Sequence, residues 1–302
     1  MTFAAALLEW FERHGRSGLP WRTVRSPYRA VVSEFMLQQT QVDRVAPLFE
    51  RFVTTWPTFE ALASASQADI VRAWKGLGYN SRAVRLHRLA KIVCERYGGT
   101  LPRSERELRE LPGVGRYTAR AIAAFAFDMD AVAVDTNVRR IVHRTQLGLE
   151  WPPRAGEAEL EALALALAPP GAGYAFNSAL MDLGATVCTA RAPKCLLCPL
   201  LRLCAAGPVD AASLARRAAR NGRPQGALPR PRFEETNRYA RGRIVDALRA
   251  LDGAAAISLL ALHGTLADVL PTYDSGRVEA VVDELAGDGV VERIGATVRL
   301  AR

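Results

Sequence analysis

The stretch LGATVCTARAPKCLLCPLLRLC, residues 183–204, sets four cysteines, Cys188, Cys195, Cys198 and Cys204, in the pattern C-x6-C-x2-C-x5-C. Four thiolates on so short a loop can surround one metal centre. Pro193 and Pro199 keep the loop from relaxing into a helix that would point them apart. The spacing is neither of the common ferredoxin patterns, and it lacks the two evenly separated C-x2-C pairs of a zinc ribbon. A structural zinc site is the competing reading and a disulfide pair the next. The fifth cysteine, Cys94, reads as a small core residue.

Upstream of this loop the chain reads as helix after helix. Apolar residues recur at helical spacing near 31–53, 58–65, 67–74, 81–97, 104–110, 116–127, 136–147, 155–168 and 174–184, with short Gly, Pro or Ser breaks between them. Nothing in these two thirds alternates like a sheet, so the fold class is all-α. Within them, LPGVGRYTARAIAAFAF, residues 111–127, joins two helices by a turn. Pro112 ends the first, Gly113 and Gly115 permit tight turns, and Tyr117 opens the second. Such a turn leaves backbone N–H groups at a helix N-terminus facing solvent, where a phosphate can accept them.

Composition agrees with a polyanion as partner. The 302 residues carry 40 Lys and Arg against 31 Asp and Glu, a net charge of +9, and only Lys75, Lys91 and Lys194 are lysine. The start, MTFAAALLEWFERH, interrupts its apolar run with Glu9 and Glu12 and reads as an amphipathic helix, not a signal peptide. No window approaches the roughly 20 apolar residues of a membrane span. A soluble cytoplasmic protein that meets a polyanion, with no membrane contact, is the expectation.

From 205 to 236 the text is rich in Ala, Arg, Gly and Pro without clear periodicity, as in a linker. Residues 237–302 then read as two short helices, an amphipathic third helix and a small hairpin around Gly295, the order of a winged helix. The third helix is acidic, with Asp274, Glu279, Asp283 and Glu284. That argues against its lying in a major groove and favours a structural role or a protein partner.

With the hairpin glycines standing some 70 residues before the cysteines, the chain resembles the endonuclease III and MutY branch of the helix-hairpin-helix DNA glycosylases. The resemblance covers residues 1–204. It implies a glycosylase core in which a six-helix subdomain spans about 25–132 and an iron-sulfur subdomain comprises 1–24 and 133–204. It also implies a [4Fe-4S] cluster on Cys188, Cys195, Cys198 and Cys204, and a hairpin (Leu111, Gly113, Val114, Gly115) that holds the DNA backbone without reading sequence. In AVAVDTNVRRIVHRT, Asp135 alone reads as a helix N-cap. The resemblance assigns it the family's essential carboxylate, which stabilises the oxocarbenium-like sugar as the base leaves, with Asn137 orienting it.

LPWRTVRSPYRAVVSEFMLQQTQV, residues 19–42, is similar to the signature of MutY-type adenine glycosylases, in which the Glu of SE-x-MLQQTQV protonates the departing purine; here it is Glu34. A carboxyl among Phe35, Met36 and Leu37 is expected to have a raised pKa. Carried over in the same way, Trp21 and Arg22 line the base pocket, and Gln39, with Gln38 beside it, wedges into the duplex. Tyr117 stands where bifunctional relatives carry a Schiff-base lysine. A phenol cannot form an imine, so a monofunctional glycosylase is expected.

Three departures concern the partner base. Asn80 replaces a tyrosine that stacks beside 8-oxoguanine, Ser178 replaces a Gln or Glu, and the C-terminal segment is too short and helical for a Nudix-like domain. The expected substrate is duplex DNA with adenine mispaired with 8-oxoguanine or guanine. The alternatives are a thymine or uracil mismatch glycosylase and an enzymatically silent iron-sulfur DNA-binding protein.

Overall fold

The computed structural model describes residues 1–148, 156–220, 232–253 and 255–302. Their helices are, in order, α1 (Phe3–His14), α2 (Pro20–Thr23), α3 (Pro27–Leu37), α4 (Val42–Thr55), α5 (Phe59–Ser64), α6 (Gln67–Ala73), α7 (Ser81–Tyr97), α8 (Glu105–Glu110), α9 (Arg116–Phe127) and α10 (Thr136–Val142). A π-helical turn (His143–Leu147) extends α10, and α11 (Glu157–Leu167), α12 (Gly173–Thr186) and α13 (Ala211–Arg220) follow. The C-terminal segment forms α14 (Asn237–Arg249), β1 (Ile257–Ser258), α15 (Leu259–Leu266), α16 (Ser275–Gly287), β2 (Val291–Ile294) and β3 (Thr297–Leu300).

Two compact units divide the chain. The first comprises the described residues of Met1–Glu34, Pro102–Glu110 and Val114–Ala227. Its core gathers Phe3 and Leu7 of α1, Ile141 and Val142 of α10, Leu160 of α11, and Phe176, Leu180 and Leu183 of α12, with Leu200 of the cysteine loop. Each side chain so buried contributes roughly 1.5–3 kcal/mol, so α12 and the cysteine loop are fixed by the same apolar contacts. Asp182 is the polar exception in this core. Its carboxylate accepts from Arg22 Nη1 at 2.7 Å, Arg16 Nε at 2.7 Å and the Arg16 backbone N–H at 2.8 Å. Burial opposes its charge, yet these bonds hold it below the ordinary aspartate range.

The second unit comprises the described residues of Phe35–Leu101, Leu111–Gly113 and Leu228–Arg302. Phe49, Phe52, Leu62, Ile70, Trp74, Leu86 and Leu89 form its helical core. Its C-terminal part has the element order of a winged helix, with β3 pairing antiparallel to both β1 and β2. The acidic face of α16 is neutralised within this part. Arg293 pairs with Glu279 and Asp283, and Arg241 with Glu284 and Asp288.

Two elements differ from the sequence reading. The helix expected over 31–53 is broken at residues 38–41, where Gln39 adopts a left-handed φ of 55°. The cause is tertiary. Buried Arg82 donates through Nη1 to the carbonyls of Phe35 (2.8 Å), Met36 (2.9 Å) and Gln38 (2.5 Å), which ends α3. Inside the expected linker, α13 forms over Ala211–Arg220. Asp210 opens it by accepting from the N–H groups of Ala212 and Ser213. The rest of that span, 221–231, lies outside the described residues.

Candidate active site

Asp135 ends an extended segment and caps α10. Its carboxylate accepts the N–H groups of Asn137 at 2.8 Å and Val138 at 2.7 Å, and Asn137 Nδ2 donates to its other oxygen at 3.0 Å. Three N–H donors fix both oxygens in place. The chain of bonds continues. Arg140 Nη2 donates to Asn137 Oδ1 at 2.7 Å and to the Gly184 carbonyl at 2.7 Å, while its Nε donates to the Cys188 carbonyl at 2.6 Å. Gly184 is required here, because a Cβ would stand 2.5 Å from Asn137 Cβ. Sequence reading singled out Asp135 and Asn137 as candidates and did not single out Arg140. Its only signal was a basic residue one turn after the cap.

Glu34 lies on α3 and is 7% exposed. Burial, reinforced by the negative charge of Asp135, pushes its pKa up to about 7, against an opposing influence of the Tyr117 hydroxyl. Tyr117 in turn is driven well above the usual phenol range, by burial first and then by the Glu34 and Asp135 charges. The three side chains thus form one coupled group in the first unit: a carboxyl poised to hold a proton near neutral pH, a carboxyl group whose oxygens are fixed by N–H donors, and a neutral phenol.

Trp21 and Arg22 lie on the short α2, both half-buried. The Arg22 guanidinium is taken by Asp182, on its second branch at 3.2 Å as well as its first at 2.7 Å, so it is oriented by an ion pair. Ser178, one turn before Asp182 on α12, is fully buried, and among the described residues its Oγ has no hydrogen-bond partner. Asp182 was legible only as a lone carboxylate between Met181 and Leu183.

In the hairpin, the Leu111 and Val114 side chains are buried, so these residues can offer a ligand only backbone. Gly113 has φ 80°, and a Cβ there would meet the Phe35 ring at 2.9 Å. Gly115 caps α9 with no side-chain hydrogen bond, so the first amides of that helix have no side-chain cap. Gln39 is exposed at its turn and Gln38 half-buried beside it. Asn80 precedes α7, but its Oδ1 accepts from Arg249 at 2.7 Å instead of capping the helix.

Cys188, Cys195, Cys198 and Cys204 all line one pocket with Arg144, Leu183, Val187 and Leu200, and none is in a disulfide. Among the described residues no three His, Cys, Asp or Glu side chains are grouped tightly enough to share a single metal ion. The four thiols around one pocket supply the all-sulfur donor set that an iron-sulfur cluster would take. Burial pushes the Cys198 thiol up to about 11, so a metal bound there would have to displace its proton. Donors to sulfur stand ready: the Val209 N–H reaches Cys195 Sγ at 3.3 Å, and Arg144 Nη1 reaches Cys188 Sγ at 3.5 Å.

The profile of the HhH-GPD superfamily base excision DNA repair proteins matches residues 32–165. The adenine DNA glycosylase of Mycolicibacterium smegmatis is 41% identical over 95% of this chain and 92% of its own length. The adenine DNA glycosylase of Homo sapiens is 42% identical over 68% of this chain and 39% of its own length. Among solved structures, a thermostable thymine-DNA glycosylase superposes with a TM-score of 0.60 at 33% identity, covering 68% of this chain and 94% of that one. A trapped endonuclease III–DNA covalent intermediate does so with a TM-score of 0.58 at 25% identity, covering 68% and 93%. The chain belongs to the adenine DNA glycosylase family.

Proposed function

We propose that this protein is a monofunctional glycosylase of base excision repair that hydrolyses the N-glycosidic bond of adenine mispaired with guanine or 8-oxoguanine. The observation that carries the reading is Glu34, buried and with its pKa pushed up to about 7 beside Asp135. Glu34 donates its proton to a ring nitrogen of the adenine, which makes the base a neutral leaving group. Asp135 faces the positive charge that develops on the sugar. At about 4 Å and an effective dielectric near 20, such a pair is worth roughly 4 kcal/mol, about three decades in rate. Asn137 and Arg140 hold the carboxylate for this task. Tyr117 offers no amine, so no Schiff base forms at that position.

Cys188, Cys195, Cys198 and Cys204 would hold a [4Fe-4S] cluster. When bound it cross-links the loop that carries the Cys188 carbonyl, to which Arg140 donates. The hairpin amides would take a backbone phosphate and Gln39 would fill the space of the flipped base. The thymine alternative has one observation in its favour, the likeness to a thymine-DNA glycosylase. A panel of duplexes carrying A:G, A:8-oxoG, T:G, U:G and hypoxanthine, scored for abasic-site formation, separates the readings. Adenine release is the expected result, and thymine release without adenine release would overturn the proposal.

A further inference from the structure

Two non-glycine residues of the second unit hold a left-handed backbone, Gln39 at φ 55° and Tyr79 at φ 46°. Side chains pay for such a conformation, and it persists only where surrounding contacts impose it. Both turns are held by Arg82. Its Nη1 takes the carbonyls of the first turn, and its Nη2 donates to Thr40 Oγ1 at 3.1 Å, to the Leu77 carbonyl at 3.0 Å and to the Gly78 carbonyl at 3.1 Å. One guanidinium therefore ties the turn of Gln39 to the turn of Tyr79. Burial pushes the Arg82 pKa down to about 10, and carbonyl oxygens take the place of a counter-ion.

The second turn is in turn gripped by α14. Arg249, aligned by Asp246 at 2.8 Å, donates to the Val71 carbonyl at 2.8 Å and to Asn80 Oδ1 at 2.7 Å, and its side chain is 8% exposed. Arg238, one face of α14 further toward solvent, lays its guanidinium 4.2 Å from the Tyr79 ring centroid, with exposed Phe233 at 5.8 Å. Among the described residues Arg238 has no carboxylate partner, whereas Arg241, Arg243, Arg249, Arg293 and Arg299 of the same segment each have one. An uncompensated cation stacked on an aromatic ring at the surface suits phosphate and base faces.

We infer that Arg238 and Arg249 are positioning residues through which the C-terminal segment sets the Tyr79–Asn80 turn and, by way of Arg82, the Gln39 turn, for engagement of the duplex. The inference deepens the proposed function and rests on it for the identity of the ligand. The C-terminal segment then acts on DNA recognition without placing its own third helix in a groove. Asn80 takes part as the acceptor that locks the turn.

The test uses the full chain. In DNA-free protein, Arg249→Ala is expected to raise amide exchange about tenfold in residues 37–41 and 76–83. Arg238→Ala does so around Tyr79 only, and Arg299→Ala serves as the control. On an A:G duplex, both variants weaken binding about tenfold while the single-turnover rate at saturating enzyme stays within about threefold. Arg249→Lys does not restore affinity, since one ammonium does not reproduce the planar two-acceptor fork. Arg238 is exposed, so its variant keeps the fold even where Arg249→Ala loosens the segment. Unchanged exchange around Tyr79 in Arg238→Ala, or a lost rate at saturation with unaltered affinity, overturns the inference. A wild-type chain that releases no adenine sinks the proposed function and leaves the exchange result standing on its own.

Discussion

At the scale of single residues, the proposed chemistry turns on a proton that Glu34 keeps near neutral pH. A general acid must be protonated, so the single-turnover rate is expected to be level well below pH 7 and to fall about tenfold per unit above it. The same raised pKa acts on stability. The proton on Glu34 contributes stability that is complete below the unfolded value of 4.5 and is lost as pH rises through about 7. Glu34→Gln removes that titration. Its excision rate should drop at least about a hundredfold, while its stability relative to the parent improves by about 1–3 kcal/mol between pH 5 and pH 8. Chemical denaturation at the two pH values reads the second effect, and a variant that excises with the parental pH profile removes Glu34 from the mechanism. Glu34 and Asp135 were legible because each sits in a motif whose local text is distinctive. Asp182 and Arg140 were not, since what matters is their partners 160 and 48 residues away along the chain, which spacing alone does not reveal.

At the scale of elements, the helix pattern was legible wherever a break falls at Gly, Pro or a capping Ser or Thr: α7, read as 81–97, forms over Ser81–Tyr97 and α9, read as 116–127, over Arg116–Phe127. The missed break after α3 has no such punctuation and is imposed by Arg82 from another helix. The packing of α10 on α12 is a second feature that only structure supplies. There Gly184 lets Asn137 approach, and Gly184→Ala would place a methyl 2.5 Å from Asn137 Cβ. That change is expected to cost about 1–3 kcal/mol, a fall in Tm of several degrees, roughly 2–4 °C per kcal/mol. It should also lower the excision rate, because Asn137 can no longer hold Asp135. A cavity-neutral result, with Tm and rate both at parental values, would show that the two helices separate freely. In the cysteine loop, Cys198→Ser should reduce bound iron and soluble yield, whereas Cys94→Ser should leave the iron content unchanged. Metal analysis showing one zinc per chain in the parent would reverse the cluster assignment.

At the scale of the whole molecule, the helix and hairpin order of the C-terminal segment was legible, but its packing was not. Its helix and strand signals are local, whereas the contacts that fix it are single polar bonds to backbone: Gln67 Nε2 to the Gly289 carbonyl at 2.7 Å, Arg72 to the Gly253 carbonyl and Arg249 to the Val71 carbonyl. These bonds place residues 67–80 and the C-terminal segment in one compact unit. A chain ending near Gly207 should therefore lose more than a tethered domain. Buried groups such as Gln67, at 8% exposure, would be left without their partners, each such loss costing about 1–3 kcal/mol. The truncated protein is expected to melt at lower temperature and to bind an A:G duplex more weakly, with the pH dependence set by Glu34 unchanged because that residue belongs to the other unit. Comparing both chains on A:G and A:8-oxoG duplexes then isolates partner-base reading. With Asn80 held by Arg249 and no large side chain in its place, the two duplexes are expected to be processed at similar rates by the full chain. A strong 8-oxoguanine preference that disappears on truncation would assign that reading to the C-terminal segment itself.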